Sequence, residues 1–249
     1  MSATTRTVPA DQIESDEIAR IRAEYERRRR EIPADFYSWS RDVNFFYHSQ
    51  IARASIRALR EAGRYPLNGC KVLDAGCGSG AWLLEFAQWG ADQLHGLDLD
   101  PGRLDIAARM LPGADLRCGD ARALPWPDEC FDLVSQFTMF TSILDADVKR
   151  SVAGEMLRVL KRDGMMLWYD FRINNPANRN VRGIEAAEIR SLFPGCDVTL
   201  KRTTLAPPIA RRIVPVTWIG ALLLEQIPWL RTHYVAVIRR SAAVKSSTV

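Results

Sequence analysis

One glycine-rich stretch restricts the possible folds of this chain more than any other feature. From Lys71 to Gly80 the sequence reads K-V-L-D-A-G-C-G-S-G, and a helical pattern begins directly after it at Ala81. A buried strand, a tight glycine turn and the start of a helix form a place where a nucleotide-like ligand approaches bare backbone. Glycine is needed there because a Cβ would block the ligand or prevent the turn.

The spacing of the glycines distinguishes between classes of nucleotide site. Dinucleotide sites usually follow G-x-G-x-x-G, and phosphate-binding P-loops end in Gly-Lys-Ser/Thr. Here the pattern is G-x-G-x-G, no lysine follows, and Asp74 lies two residues before the first glycine. A carboxylate in this place repels a pyrophosphate and suits a ligand that carries an amine. The pattern therefore disfavours an NAD(P)-dependent oxidoreductase, which is kept as an alternative.

Two further aspartates follow predicted strands in order. Asp98 ends a strand that starts near Gln93, and it lies 20 residues after Gly78. This is the offset at which Rossmann-like folds place a carboxylate that accepts hydrogen bonds from a ribose. Asp120 follows a short strand predicted over Asp115–Cys118. The carboxyl ends of parallel strands meet at one edge of a sheet, so we expect the three aspartates to line one cleft.

This ordered set resembles the class I S-adenosylmethionine (SAM)-dependent methyltransferases, and is closest to the broad group typified by ubiquinone and menaquinone methyltransferases. D-A-G-C-G-S-G is similar to the first motif of that family, and the run L-P-W-P-D-E-C-F-D from Leu124 is similar to its L-P-F-x-D-x-x-F-D. The stretch Leu160–Gly164 is a variant of its L-K-P-G-G turn. The resemblance covers about residues 70–171. It implies an α/β fold with a doubly wound, seven-stranded, mostly parallel sheet.

The resemblance also implies a cofactor and the residues that bind it. SAM is expected across the carboxyl ends of the first strands, with Asp98 on the ribose and Asp120 on the exocyclic amine of adenine. No metal is expected. The expected cofactor-binding residues are Asp74, Gly76, Cys77, Gly78, Gly80, Asp98, Leu99, Asp120, Ala121 and Gln136.

The catalytic base is left unassigned by the sequence. Many relatives carry a histidine pair or an Asn/Asp-Pro-Pro-Tyr motif after the fourth predicted strand, and Ser135–Phe140 contains neither. The second absence argues against amino methylation of adenine or glutamine. The candidates for the base are His48, Tyr47 and Asp170. The expected acceptor contacts are Tyr47, Tyr169 and Arg172, with packing of the arm as the alternative for Tyr47 and an exposed loop charge for Arg172.

The rest of the chain divides into an arm, a domain and an insert. Residues 1–69 are predicted to form a helical arm, with helices over about 13–31 and 43–62, that packs on the domain or covers it as a lid. Residues 70–249 form the SAM-binding domain. An insert over 206–231 separates the last two predicted strands and is expected to be helical.

The insert contains an unusual apolar run. Residues 213–224 are almost all apolar, but only 12 in number and broken by Pro215, whereas a membrane-spanning helix needs about 20. Three interpretations stay open: a cap over the active site, a contact in a homodimer, or a peripheral membrane contact through 209–231. The positive charge of the C-terminal part is the reason for the third interpretation. Residues from 198 onward hold eight basic side chains and one acidic one, in a chain whose net charge is +4.

Composition excludes several other classes. The five cysteines lack C-x-x-C spacing, so neither a zinc site nor a disulfide framework is expected. The run Arg27–Arg30 lies among acids and is interpreted as a solvated helix face, so no nucleic-acid partner is expected. Residues 1–10 contain no apolar core of a signal peptide. The predicted location is cytoplasmic, with membrane association as a variant of it.

Together these patterns predict a SAM-dependent methyltransferase. The expected reaction is in-line transfer of a methyl group to a small-molecule, glycan or lipid-linked acceptor, at oxygen. In-line alignment of two reactants can contribute about 7–11 kcal/mol to a reaction of this kind. The alternative from another class is a SAM-binding regulator or scaffold without catalytic activity.

Overall fold

The computed structural model describes residues 6–7, 16–33, 40–174 and 178–241, and it forms an α/β sheet structure. Its strands are β1 Arg6–Thr7, β2 Lys71–Ala75, β3 Gln93–Asp98, β4 Asp115–Cys118, β5 Phe131–Phe137, β6 Leu160–Phe171, β7 Cys196–Leu205 and β8 Arg231–Arg240. Its helices are α1 Asp16–Glu31, α2 Asp42–Glu61, α3 Ala81–Gln88, α4 Pro101–Met110, α5 Ala146–Val159, α6 Ala186–Leu192, α7 Pro207–Ile213 and α8 Trp218–Glu225. Short 3-10 helices cover Phe140–Ser142 and Pro228–Leu230.

The strand order confirms the predicted doubly wound sheet. Seven strands follow the order β4-β3-β2-β5-β6-β8-β7, in which β8 is antiparallel to both of its neighbours and the other pairs are parallel. The order reverses between β2 and β5, and in open α/β sheets ligands bind at such a point, beyond the carboxyl ends of the strands. The two-residue strand β1 pairs with β4 at the edge and was not predicted.

The central strands are apolar because helices cover both faces of the sheet. Val72–Ala75 are buried, and so is every residue of the run Met165–Asp170, as is usual for strands buried on both sides. Asp100 begins α4 by accepting a hydrogen bond from Gly102 N at 2.9 Å, which is the N-cap role predicted for it. These local signals fix where each strand ends, and therefore where the site lies.

The predicted turn at Leu160–Gly164 lies at the start of β6, within the strand rather than before it. Leu160 pairs with Phe131, but the next pair joins Met165 to Leu133, so residues 161–164 bulge out of the ladder. Asp132 accepts hydrogen bonds from Lys71 N at 2.9 Å and from Lys161 Nζ at 2.7 Å across this bulge. Asp132 is thus structural, as its place at the start of a strand predicts.

The two helices of the arm pack on different parts of the domain. Helix α1 contributes Ile18 and Ile21 to the core cluster on one face of the sheet. Helix α2 packs on β7 and β8 and buries Phe46 against the insert. The predicted start of the first helix, near residue 13, lies outside the described residues, and the division into arm and domain stays a prediction.

The insert is helical, as expected. It contains α7, α8 and the 3-10 helix Pro228–Leu230, and its neck is closed by a hydrogen bond of 2.8 Å from Ala206 N to Leu230 O. Among the residues that the structure describes, no helix is long and apolar enough to cross a membrane.

Candidate active site

The glycine loop turns sharply because its three glycines adopt backbone angles that other residues avoid. Their φ values are +77° at Gly76, +53° at Gly78 and +82° at Gly80. A Cβ on Gly78 would lie 2.2 Å from a guanidinium nitrogen of Arg103. The loop therefore presents bare backbone to the space that the Arg103 side chain enters from α4.

Asp98 ties this loop to the end of the neighbouring strand. One of its carboxylate oxygens accepts a hydrogen bond from Gly78 N at 2.8 Å, and the other accepts one from Asp100 N at 2.9 Å. Each carboxylate oxygen has about two acceptor sites. Asp98 can therefore hold the loop and still accept bonds from two hydroxyl groups.

Asp74 lies beneath the loop and is completely buried. Its carboxylate accepts a hydrogen bond of 2.7 Å from Ser135 Oγ on β5. Burial and, to a smaller extent, the nearby Asp98 raise the pKa of Asp74 to about 7, against the lowering effect of that hydrogen bond and of Arg103. Near neutral pH the group is therefore poised to lose or gain a proton when a cation approaches.

Asp120 completes the row of acids at the ends of β2, β3 and β4. It accepts hydrogen bonds from Arg122 N at 2.8 Å and from Arg122 Nε at 2.7 Å. Asp98 and Asp120 line the same small cavity, together with Gly76. The sheet thus brings these expected cofactor residues together in one cleft.

Helix α1 closes the outer side of this cleft. Ile18, Ile21 and Tyr25 line the cavity, whose volume is about 40 Å³, whereas ligand pockets usually measure about 300–1,000 Å³. Arg20 donates to Ser142 O at 2.6 Å, and Arg29 lies 3.3 Å from Asp100. A ligand of nucleoside size therefore requires α1 or Arg103 to move aside.

The remaining expected cofactor residues fall into two groups. Leu99 and Ala121 line the small cavity beside Asp98 and Asp120. Cys77 is buried behind the loop, and burial raises the pKa of its thiol. Gln136 is buried too, and its amide donates to Tyr169 O at 3.2 Å and accepts from Met139 N at 3.0 Å. The Gln136 side chain therefore holds the backbone after β5.

A second, much larger cavity lies on the other side of the glycine loop. Its volume is about 780 Å³. Ala81 and Trp82, the first residues of α3, form the wall nearest the loop, and Thr138 follows β5. The other lining residues come from α2, from β6 and β8, and from α7 and the segment after it. Its volume lies in the range of ligand pockets, and we call it the acceptor cavity.

Aromatic rings stack along one side of this cavity. The centroid of the Trp82 ring lies 4.8 Å from that of His48 and 4.1 Å from that of Phe137. Further along, Tyr169 stacks on His233 at 5.1 Å with an angle of 8° between the rings. Burial lowers the pKa of His233 to about 3, so its ring is neutral at physiological pH. This stacked part of the wall is therefore apolar and uncharged, whereas Arg41, Asp42 and Arg211 line other parts of the cavity.

His48 and Glu85 form a close pair at the edge of this wall. His48 Nε2 lies 2.6 Å from Glu85 Oε1. They come from α2 and α3, and both side chains are mostly shielded from solvent. In the tautomer that donates from Nε2 to a carboxylate, Nδ1 carries the lone pair that accepts a proton. Glu85 therefore fixes the orientation of the His48 ring.

Tyr47 lies next to this pair and offers a donor. Its hydroxyl is buried, and it has no hydrogen-bond partner among the residues that the structure describes. Burial raises the pKa of the Tyr47 phenol, so the group stays protonated. A buried donor without a partner costs about 1–3 kcal/mol, and an acceptor molecule in the cavity can relieve that cost.

Two sequence candidates face away from the large cavity. Successive side chains of a strand point to opposite faces, so Asp170 lies on the face opposite Tyr169. Asp170 is buried, accepts a hydrogen bond from Thr141 Oγ1 at 2.6 Å, and has its pKa raised by burial to about 7. Arg172 lies 5.7 Å from the ring centre of Tyr234. Their contacts give them supporting places outside the acceptor cavity.

Sequence reasoning missed Glu85, Trp82 and His233 as residues of the site. Glu85 and Trp82 belong to a predicted helix, and only their spacing of three residues indicates a shared face. His233 stands at the start of a strand, and nothing in the sequence relates it to Tyr169. These partners meet only because β6 and β8 pair and α2 packs beside α3.

A family model for a methyltransferase domain matches residues 72–164. This range begins in β2 and includes the glycine loop and all three aspartates. The chain has a class I SAM-dependent methyltransferase domain. Its cofactor is SAM, which sets aside the NAD(P) alternative.

Curated relatives of this methyltransferase domain carry names from quinone and lipid chemistry. A demethylmenaquinone methyltransferase of Renibacterium salmoninarum is 34% identical over 41% of this chain and 42% of its own length. A ubiquinone biosynthesis O-methyltransferase of Sinorhizobium medicae is 30% identical over 64% of this chain and 63% of its own. A phthiotriol/phenolphthiotriol dimycocerosates methyltransferase of Mycobacterium ulcerans is 35% identical over 47% and 43%. The chain spans about half the length of the curated relatives it matches.

Solved structures share the fold at low sequence identity. A SAM-dependent methyltransferase from Archaeoglobus fulgidus aligns with a TM-score of 0.57 at 16% identity, over 77% of this chain and 95% of its own. The cyclase SpnF aligns with a TM-score of 0.54 at 20% identity, over 76% and 81%. Since a cyclase has this fold as well, the fold alone does not establish the reaction.

The methyltransferase site has the chemistry that SAM needs. Asp98 keeps acceptor capacity for ribose hydroxyls, Asp120 can accept from an amine, and Asp74 provides a buried carboxylate near the loop. At Gly78 the backbone is bare, and a Cβ there would collide with the Arg103 side chain in the space that a ligand would need. The residues present therefore fit the cofactor once α1 or Arg103 yields room.

Proposed function

We propose that this chain transfers a methyl group from SAM to a hydroxyl oxygen of a small, largely apolar or lipid-linked acceptor. The observation that carries the proposal is the position of the His48–Glu85 pair on a cavity of about 780 Å³ whose wall starts at the glycine loop. Bound SAM supplies a methyl group that its sulfonium already activates. What this chain must add is alignment, exclusion of water and removal of the acceptor's proton.

His48 is the residue we assign to proton removal. Asp170 lies on the opposite face of the sheet, and the phenol of Tyr47 stays protonated because burial raises its pKa. Bound SAM would supply the activated methyl group, and His48 would accept the proton that the acceptor hydroxyl loses on methylation. Glu85 orients the imidazole and stabilises the imidazolium that results.

The shape of the cavity supports an apolar acceptor. Trp82, Tyr169 and Tyr47 line it with aromatic surface, and its charged lining residues are Arg41, Asp42 and Arg211. Pockets of this composition bind ligands through apolar area and orient them with a few polar groups. The names of the curated relatives, which refer to quinones and lipids, agree with an acceptor of this class.

The test uses methyl-labelled SAM and a panel of phenols, catechols and hydroquinones, with lipid extracts as a second source of acceptors. The parent is expected to label at least one of them. His48→Gln is expected to lower turnover about 10²–10⁴-fold, and Glu85→Gln to lower it less, while SAM affinity by calorimetry stays within twofold. Arg53→Ala, one turn further along α2 with an exposed side chain, serves as the matched control.

Two results would contradict the proposal in different ways. Full turnover by His48→Gln would remove the assigned base and leave methyl transfer intact. Tight SAM binding without label transfer to any acceptor would instead favour the non-catalytic regulator or scaffold.

A further inference from the structure

Four large apolar side chains are exposed on the insert. They are Val216, Ile219, Leu223 and Trp229, with 80%, 72%, 65% and 75% of their surface accessible to solvent. We call these four residues the apolar ridge. Single exposed apolar residues are common on protein surfaces, but a concentration of this kind within one insert marks an interaction site.

Two of the four ridge residues lie on the outer side of α8, whose inner side is already packed, while Val216 precedes this helix and Trp229 lies in the 3-10 helix Pro228–Leu230. Ile219 and Leu223 are four residues apart and share one face of α8. The opposite face packs Ala221, Trp218 and Leu222 into a cluster around Phe46, and the Trp218 ring lies 5.2 Å from that of Phe46. The ridge is therefore not a displaced part of the protein's own core.

Positive charge borders the ridge without compensation. Arg211 and Arg212, in the last turn of α7, are exposed and make no hydrogen bond or ion pair with any residue of the described ranges. The acid of the insert, Glu225, is bound by Arg53 at 2.8 Å. Arg231 is directed to the backbone, donating to Glu225 O at 2.6 Å.

We infer that the apolar ridge docks this protein on an anionic lipid surface. Aliphatic side chains beside a tryptophan suit the boundary between headgroups and acyl chains, and arginines beside them suit anionic headgroups. A symmetric dimer through the same face fits the charges less well. Such an interface places a patch against its own copy, so it would bring Arg211 and Arg212 near their counterparts with Glu225 already bound.

The insert that carries the ridge also contributes to the acceptor cavity. Pro207, Arg211 and Pro215 line that cavity and belong to the same insert. A membrane-bound insert would therefore hold the mouth of the cavity close to the lipid from which an apolar acceptor comes. The docking itself does not depend on the methyl transfer proposed above, because it concerns a different set of residues.

The test measures binding of the full chain to vesicles in the absence of SAM and acceptor, by flotation. Vesicles of phosphatidylcholine with one fifth phosphatidylglycerol are compared with pure phosphatidylcholine, and the parent is expected to bind the anionic vesicles clearly more tightly. Ile219→Ser combined with Leu223→Ser is expected to weaken binding about tenfold or more. Arg212→Glu, which reverses one charge, is expected to weaken binding to anionic vesicles by a similar factor.

Helix α4 provides matched controls. Ile106 and Met110 are exposed apolar residues four positions apart, and Arg109 lies between them on the exposed side. Ile106→Ser with Met110→Ser, and Arg109→Glu, are expected to keep vesicle binding within twofold. All variants are compared with the parent for SAM affinity and thermal unfolding, so that misfolding is recognised.

Three outcomes would overturn the inference. The first is a parent that anionic vesicles do not retain, and the second is a loss of binding in the α4 controls as large as that in the ridge variants. The third outcome is a parent that forms dimers by light scattering, dissociates in the Ile219→Ser, Leu223→Ser variant, and ignores vesicles. Since no turnover is measured, none of these outcomes affects the test of methyl transfer.

Discussion

The two cavities on either side of the glycine loop differ in size, chemistry and origin. On the cofactor side, Asp98 and Asp120, at the ends of two neighbouring strands, line a cavity of about 40 Å³ beneath α1. On the acceptor side, aromatic residues line part of a cavity of about 780 Å³ that charged and aliphatic side chains complete. The sheet positions the first set through its own register, whereas the second set requires packing between segments as distant as α2 and the insert. The chemistry of cofactor binding is thus local in the chain, and the selection of an acceptor is a property of tertiary packing.

The largest expected effect tests whether α2 and the insert form a packed unit that is separate from the cofactor side. Phe46 is completely buried between α2 and the insert, and Phe46→Ala is expected to lower the free energy of unfolding by about 3–5 kcal/mol. Limited proteolysis should then cut the insert first, while SAM affinity in the folded fraction is kept. Phe45→Ala is the control, because Phe45 is 51% exposed and should cost less than about 1 kcal/mol. Equal losses from both substitutions would show that the insert is not held through Phe46.

The next effect concerns the buried carboxyl group of the cofactor side. Burial raises the pKa of Asp74 to about 7 in the folded protein, above about 3.9 in the unfolded chain. The folded state then binds more protons between these values, so the stability contributed by Asp74 is present in acid and is lost as the pH rises through about 7.

Asp74→Asn removes this dependence. Relative to the parent, the variant is expected to gain about 2–3 kcal/mol of stability between pH 5 and pH 8. Urea unfolding of SAM-free protein at both pH values measures this change. Asp105→Asn, on the exposed side of α4, is the control. If the unfolding free energies of the parent and of Asp74→Asn change in parallel with pH, Asp74 is ionised at both pH values and the assignment is wrong.

The smallest expected effect separates cofactor binding from acceptor binding. Asp98→Ala should weaken SAM binding at least about tenfold, since it removes charge-assisted hydrogen bonds that contribute about 1.4 kcal/mol or more. Calorimetry with SAM measures this loss, and Asp105→Ala again serves as the control. SAM affinity within twofold of the parent would be incompatible with the assignment of Asp98 to the ribose.

The sequence predicted the glycine turn and the strand that ends at Asp98 because the signals for them are short and ordered. The glycines after Asp74 require a turn, and the offset from Gly78 to Asp98 spans one strand-helix-strand unit. The acceptor side could not be predicted in the same way. Glu85 is one acid among many in the sequence, and only the packing of α2 on α3 makes it the partner of His48.

The candidates at the end of β6 show the same limit within a single strand. Tyr169 and Asp170 are neighbours in sequence, and both were expected near the reaction. Because the strand alternates its faces, Tyr169 reaches the cavity and Asp170 reaches Thr141. Which of the two faces receives the substrate depends on where α2 and the insert pack, and no local pattern contains that information.

The neck of the insert has a consequence for how this protein can change. Ala206 and Leu230 are joined by a backbone hydrogen bond. Directly beside this bond β7 and β8 begin to pair, and they stay paired in antiparallel direction along their length. The segment between them therefore departs from and returns to one fixed point, and the entropy of closing such a loop grows only slowly with its length. An insert of different length or composition can be grafted at this point while the strands beneath keep their register. New acceptor specificities can arise by exchanging this one module, with the cofactor machinery inherited unchanged.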